Sequence, residues 1–191
     1  MLVNVQQLIG RPGQSDGLVR RVDPADLVPT GEDDLRWDPP GGAIDGDIGL
    51  DLTLSSVVDG ILVRGTVDVD VVMPCARCLT EITDEATLPI TELFHDPREM
   101  EVEDYTEGED YLVDSDLIHI DLARALRDAI SLAVPNRPLC TPDCAGLCPT
   151  CGADRNVEDC GHGNEPEQDP RWAALADLDL SDDPATEPSD G

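Results

Sequence analysis

All seven cysteines of this chain fall into two clusters. Cys75 and Cys78 form the first, and Cys140, Cys144, Cys148, Cys151 and Cys160 form the second, with His162 just beyond. Thiols spaced C-x2-C or C-x3-C can converge on one metal ion from a single turn of backbone, so they constrain the fold more tightly than any apolar pattern does. In Cys148-Pro149-Thr150-Cys151-Gly152 the glycine supplies the backbone freedom that such a turn needs. Zinc prefers a tetrahedron of thiolates, or of thiolates and imidazole, whereas the C-x2-C-x2-C spacing usual for iron–sulfur clusters is absent. Seven cysteines and His162 make eight donors, enough for two tetrahedral sites. One partition puts Cys75, Cys78, Cys140 and Cys144 on one ion and Cys148, Cys151, Cys160 and His162 on another. The alternative is a single site built from the two C-x2-C turns, with Cys140, Cys144 or Cys160 spare. The expected cofactor is therefore one or two zinc ions.

Other cysteine chemistry fits less well. A dithiol catalyst would place its first cysteine at a helix N-terminus in a βαβ setting, but Cys75 and Cys78 lie between strand-like segments. Hydrolytic zinc needs an open coordination position, and a sequence this rich in ligands implies closed, structural sites. His95 and His119 are isolated, and neither a Ser–His–Asp set nor a glycine-rich phosphate loop is evident. The expectation is a protein that is not an enzyme.

The charge narrows the partners. Forty-two Asp and Glu face twelve basic residues, all arginine, for a formal charge of -30. Nucleic-acid backbones repel such a chain at long range, and two Trp, two Tyr and one Phe leave little to stack on bases. A cationic protein is the electrostatically sensible partner. The first residues lack a charged start followed by a long apolar core, and no run reaches membrane-spanning length, so a cytoplasmic protein without membrane contact is expected. Reduced thiols and an odd cysteine count argue against disulfides.

The apolar pattern predicts an α+β fold: an antiparallel β-meander or partly closed barrel with a covering helix and a C-terminal zinc-binding module. Residues 1–135 form the α+β domain, 136–163 the cysteine-rich module, and 164–191 a short helix and acidic tail. A strand is expected at Leu2–Leu8, then loop to about Gly46 with a helical turn near Ala25–Val28. Ile48, Leu50, Leu52 and Leu54 alternate with polar residues, as do Val63, Val67, Val69 and Val71, and Asp59-Gly60 between them signals a hairpin. A third strand runs over Ala86–Phe94, so Cys75 and Cys78 sit in an antiparallel turn. Residues 96–116 read as an acidic loop. Asp121 caps a helix carrying Leu122, Leu126, Ala129, Ile130 and Ala133 on one face, which Pro135 ends. Asp169-Pro170 opens a second, short amphipathic helix with Trp172, Leu175 and Leu178, either packed on its own domain or available to a partner.

Cys75-Ala76-Arg77-Cys78-Leu79, Ile120-Asp121-Leu122, Leu132-Ala133-Val134-Pro135 and Cys144-Ala145-Gly146-Leu147-Cys148-Pro149-Thr150-Cys151-Gly152, in this order, resemble the YceD family of large ribosomal RNA subunit accumulation proteins. The resemblance covers roughly residues 1–180 and includes Asp169–Leu175. It implies a bacterial cytoplasmic factor supporting 23S ribosomal RNA accumulation, and joined to the charge of -30 it makes a large-subunit assembly intermediate or a basic ribosomal protein the expected partner. Some relatives keep only the first cysteine pair. Where others end in Cys-x-Cys this chain has Cys160-Gly161-His162, and Arg155 stands where a leucine is expected. Two further readings stay open: a direct ribosomal RNA binder using Arg77, and a thiol- or metal-responsive regulator. Arg77 and Trp172 are the candidate interaction residues.

Overall fold

The computed structural model describes residues 1–28, 37–99 and 111–163, together with Arg171. Its framework is three fifteen-residue antiparallel strands, β3 (Ala43–Val57), β4 (Gly60–Pro74) and β5 (Glu81–His95). Before them come β1 (Leu2–Asn4) and β2 (Ser15–Val22), and after them β6 (Tyr111–Leu112), β7 (His119–Asp121) and the helix α1 (Leu122–Ala133). The strands form a five-stranded sheet of order β2-β3-β4-β5-β6 and a β1-β7 pair.

Alternation builds the long strands. Ile44, Ile48, Leu50, Leu52 and Leu54 of β3 and Ile61, Val63, Val67, Val69, Val71 and Met73 of β4 are buried on one face. The intervening Asp45, Asp47, Asp51, Arg64, Asp68 and Asp70 are exposed on the other. Between Asp45 and Gly49 the β3–β4 register slips at a bulge, and Gly46, with φ 75°, takes the left-handed conformation there. The hairpin falls one residue earlier than Asp59-Gly60 suggests, since Val57 pairs with Gly60. Gly60 is required for another reason: a Cβ there would lie 2.0 Å from the carbonyl oxygen of Phe94 on β5.

The helix follows its sequence signals. Asp121 accepts from the Ala123 amide at 2.9 Å, and Val134 is extended as the residue before a proline must be. Leu122, Ala123, Ala125, Leu126 and Ile130 are buried against β5, β1 and a 3-10 turn at Pro24–Leu27. The Arg127 guanidinium donates to the Leu27 carbonyl and ties helix to turn.

Three expectations need correction. The sheet is open, with β2 and β6 at its two ends, so the partly closed barrel does not form. Helix and β1–β7 pair cover its apolar face, leaving no need to curl the sheet on itself. The stretch read as loop before Gly46 contains β2, an edge strand on which Val22 alone is buried, so no alternation marks it. The first strand stops at Asn4 and joins β7 instead of the main sheet, while β6 pairs with β5 in parallel. Residues 100–110 of the acidic loop, the helix expected at 169–178 with Trp172, and the acidic tail lie outside the described residues. Among the described residues, no helix is long and apolar enough to cross a membrane.

Candidate metal centres

The turn between β4 and β5 carries the first cysteine pair. The Cys75 amide donates to the Thr80 carbonyl at 2.8 Å, the Leu79 amide donates to the Cys75 carbonyl at 3.0 Å, and the chain reverses through Leu79 at φ 63°. The segment following α1 is docked on this turn by the Ala76 amide, which donates to the Pro138 carbonyl at 2.8 Å. Cys140 and Cys144 thereby meet Cys75 and Cys78, with all four donor atoms within 4.8 Å of one another. The Cys75 and Cys144 sulfurs are 3.7 Å apart, and those of Cys78 and Cys140 3.6 Å. A tetrahedral ion with metal–sulfur bonds of about 2.3 Å sets its ligands about 3.8 Å apart, so the spacing suits zinc. Cys75, Cys78 and Cys144 are buried and pack with Ile82, Leu139 and Leu147 in a small apolar cluster that Ile82 joins to the main core.

Amide donors line these sulfurs. The Arg77 and Cys140 amides each lie 3.5 Å from Cys75 Sγ, and Asn156 Nδ2 lies 3.4 Å from Cys144 Sγ. The Cys140 and Cys78 amides bring the Cys75 thiol down to about 6. Cys140 is pushed the other way, to about 12, by its contacts with the Cys144 and Cys78 thiols. Cys75 thus favours its thiolate and Cys140 resists it, an opposition that a divalent cation removes.

The second group comprises Cys148, Cys151, Cys160 and His162, again with donor atoms within 4.8 Å of one another. Its turn is closed by the Gly152 amide on the Cys148 carbonyl and the Cys148 amide on the Ala153 carbonyl, both at 2.8 Å. Gly152 takes φ 77°, the freedom that the sequence pattern calls for. The Cys151 and Thr150 amides lower the Cys148 thiol to about 6. Cys148 is buried, while Cys151 and His162 are exposed.

The eight residues therefore assemble as two groups of four, and the two C-x2-C turns stand in different groups instead of sharing one ion. His95 belongs to neither, and His119 Nδ1 instead meets Asp116 at 2.8 Å. Arg77 joins the two segments. Its Nη1 donates to the Cys144 carbonyl at 2.8 Å, and its own carbonyl accepts from the Leu147 amide at 3.1 Å. Gly146, at φ 73°, allows this approach, because a Cβ there would lie 3.1 Å from the Arg77 carbonyl oxygen. Two residues escaped the sequence reading. Asn156 binds across twelve positions to Cys144, and Thr80 Oγ1 lies 3.2 Å from Cys78 Sγ; neither carries a local signal. Replacing Arg77 with Ala should cost about 1–2 kcal/mol of stability, the worth of a charge-assisted hydrogen bond to a carbonyl. Urea unfolding of the metal-loaded protein checks this, and an unchanged midpoint would return Arg77 to the pool of free contact residues.

The model of the family described as large ribosomal RNA subunit accumulation protein YceD matches residues 63–179. An uncharacterized protein of Mycobacterium tuberculosis strain H37Rv is 42% identical over 129 residues, covering 68% of this chain and 60% of the relative. An uncharacterized protein of Mycobacterium bovis shows the same figures. One from Mycobacterium leprae is 35% identical over 158 residues, covering 82% of this chain and 67% of the relative. This chain thus spans less than two thirds of the first two relatives' length. No solved structure matches it significantly. The match runs from β4 through the first cysteine turn, α1 and both groups of four, and the chain belongs to the YceD family of large ribosomal RNA subunit accumulation proteins.

Proposed function

We propose that this protein is a non-enzymatic, zinc-stabilised adaptor that supports large ribosomal subunit accumulation in the cytoplasm through protein contacts. The observation carrying this reading is the assembly of both quartets: each collects four Cys or His donors within 4.8 Å of one another. Four protein ligands leave no position for a substrate, which is the mark of structural zinc. Cys75, Cys78, Cys140 and Cys144 hold one ion, and Cys148, Cys151, Cys160 and His162 the other. Bound zinc neutralises the clustered thiolates and locks the post-helix segment to the end of the sheet.

The partner follows from charge. A formal charge of -30 favours a cationic protein over an RNA backbone, and Arg77 already spends one guanidinium nitrogen on the Cys144 carbonyl. The test is sedimentation of metal-loaded protein with large-subunit assembly intermediates, alongside capture of basic ribosomal proteins. Co-sedimentation that survives nuclease trimming of exposed RNA is the expected result. Steeply salt-dependent binding to naked 23S fragments, with no protein captured, would overturn it in favour of direct RNA recognition.

A further inference from the structure

Beside the first cysteine quartet, the face of the sheet opposite the main core carries, among the described residues, an apolar groove with an acidic rim. Gly41, Ala43, Val72, Pro74, Leu79 and Glu81 line an open depression of about 460 Å³. Leu79 is 65% exposed, although it sits one residue after Cys78 in the turn between β4 and β5. Its φ of 63° belongs to the left-handed region, where Asn or Gly is at ease and a branched aliphatic side chain is not. The Leu79 backbone serves the turn, but its exposed side chain belongs to neither apolar cluster. Backbone strain of this kind accumulates at contact sites.

The neighbouring row points to the partner's charge. Asp45 pairs with Asp70 across β3 and β4, and Asp70 with Glu85 across β4 and β5, so three exposed carboxylates stand side by side on adjacent strands. Like charges directly opposite one another destabilise a sheet. Glu81, opposite Pro74, extends the acidic rim to the groove itself.

We infer that this groove docks a cationic segment of a partner protein, with one apolar side chain seated against Leu79, Val72 and Pro74 and flanking Arg or Lys residues over Asp45, Asp70, Glu81 and Glu85. The inference rests on the adaptor reading and assigns it a surface. Charge selects the occupant. A second copy would set these carboxylates against their own counterparts, and residues 164–191 are themselves acidic, with Arg171 their one basic residue.

The experiment uses full-length, zinc-loaded protein and a labelled dodecapeptide of Arg and Lys around one central Leu, with anisotropy read at several salt concentrations. Leu79→Asn should weaken binding about tenfold while leaving the thermal midpoint unchanged or higher, because Asn accepts the left-handed conformation. Asp70→Asn with Glu85→Gln should weaken binding and flatten its salt dependence more than the charge-matched pair Asp16→Asn with Asp26→Asn. Leu132→Ser, another exposed leucine, should change nothing. Equal weakening by both charge pairs, undiminished binding by Leu79→Asn, or a lowered midpoint in that variant would each overturn the proposal. A dimer that Leu79→Asn dissolves, or peptide binding that appears only after deletion of residues 164–191, would overturn it in favour of those occupants. Wild-type co-sedimentation that survives Leu79→Asn sinks the groove and leaves the adaptor standing, whereas absent wild-type co-sedimentation sinks the adaptor.

Discussion

Cys78→Ser is expected to carry one zinc ion per chain against the two expected of the wild-type protein under the proposed assignment, as measured by elemental analysis against protein concentration. Serine offers a hydroxyl in place of a thiolate and leaves Cys75, Cys140 and Cys144 an incomplete, weaker trap. His162→Ala should cause the same fall through the other quartet. The two variants should differ in what comes loose. Loss of the first ion should loosen residues 136–163 from the β4–β5 turn, because Cys140 and Cys144 of that segment complete the quartet with Cys75 and Cys78 of the turn. Far-ultraviolet dichroism of the sheet should persist, since β3, β4 and β5 pair over most of their length without any metal. Strong chelation should expose the amides of 136–163 to hydrogen exchange before those of β4. Two ions retained in Cys78→Ser, or none in the wild type, would sink the zinc assignment.

Leu126→Ala should destabilise the protein by about 2–5 kcal/mol, the range for a buried leucine whose cavity cannot collapse. Leu126 is 0% exposed, in the middle of α1 and enclosed by the core. Against a typical total of roughly 5–15 kcal/mol this removes much of the margin. Leu132, on the same helix but 87% exposed, should tolerate Ala within about 0.5 kcal/mol. Urea titration at constant m-value separates the two. A loss below about 1 kcal/mol for Leu126→Ala would mean that the helix is not seated on the sheet as described.

What could be read from the sequence follows from where each signal resides. β3 and β4 announce themselves because one face is buried and the other wet, which writes a period of two into the residues. The helix is as plain, with a capping Asp121 and a terminal Pro135. β2 is invisible by the same logic: as an edge strand it buries Val22 alone, and Asp16-Gly17 and Arg20-Arg21 read as loop. β6 and β7 are too short, at two and three residues, to show any period. Among the donors, spacing marks the ligand types but not their grouping. That Cys75 and Cys78 join Cys140 and Cys144 depends on the Ala76–Pro138 hydrogen bond, a contact between segments more than sixty residues apart. Asn156 at Cys144, twelve positions away, likewise carries no local spacing signal, and the carboxylate row becomes visible only once β3, β4 and β5 are in register.

The length of the three central strands gives the molecule a reach. Fifteen residues at about 3.3 Å each put the β4–β5 metal turn up to about 50 Å from the opposite end of the sheet, where Val58 stands 73% exposed at the β3–β4 hairpin tip. A body gripped at the metal end leaves that far tip clear. On the adaptor reading, whatever docks beside the cysteine turn and whatever meets the hairpin tip are separated by the length of the sheet.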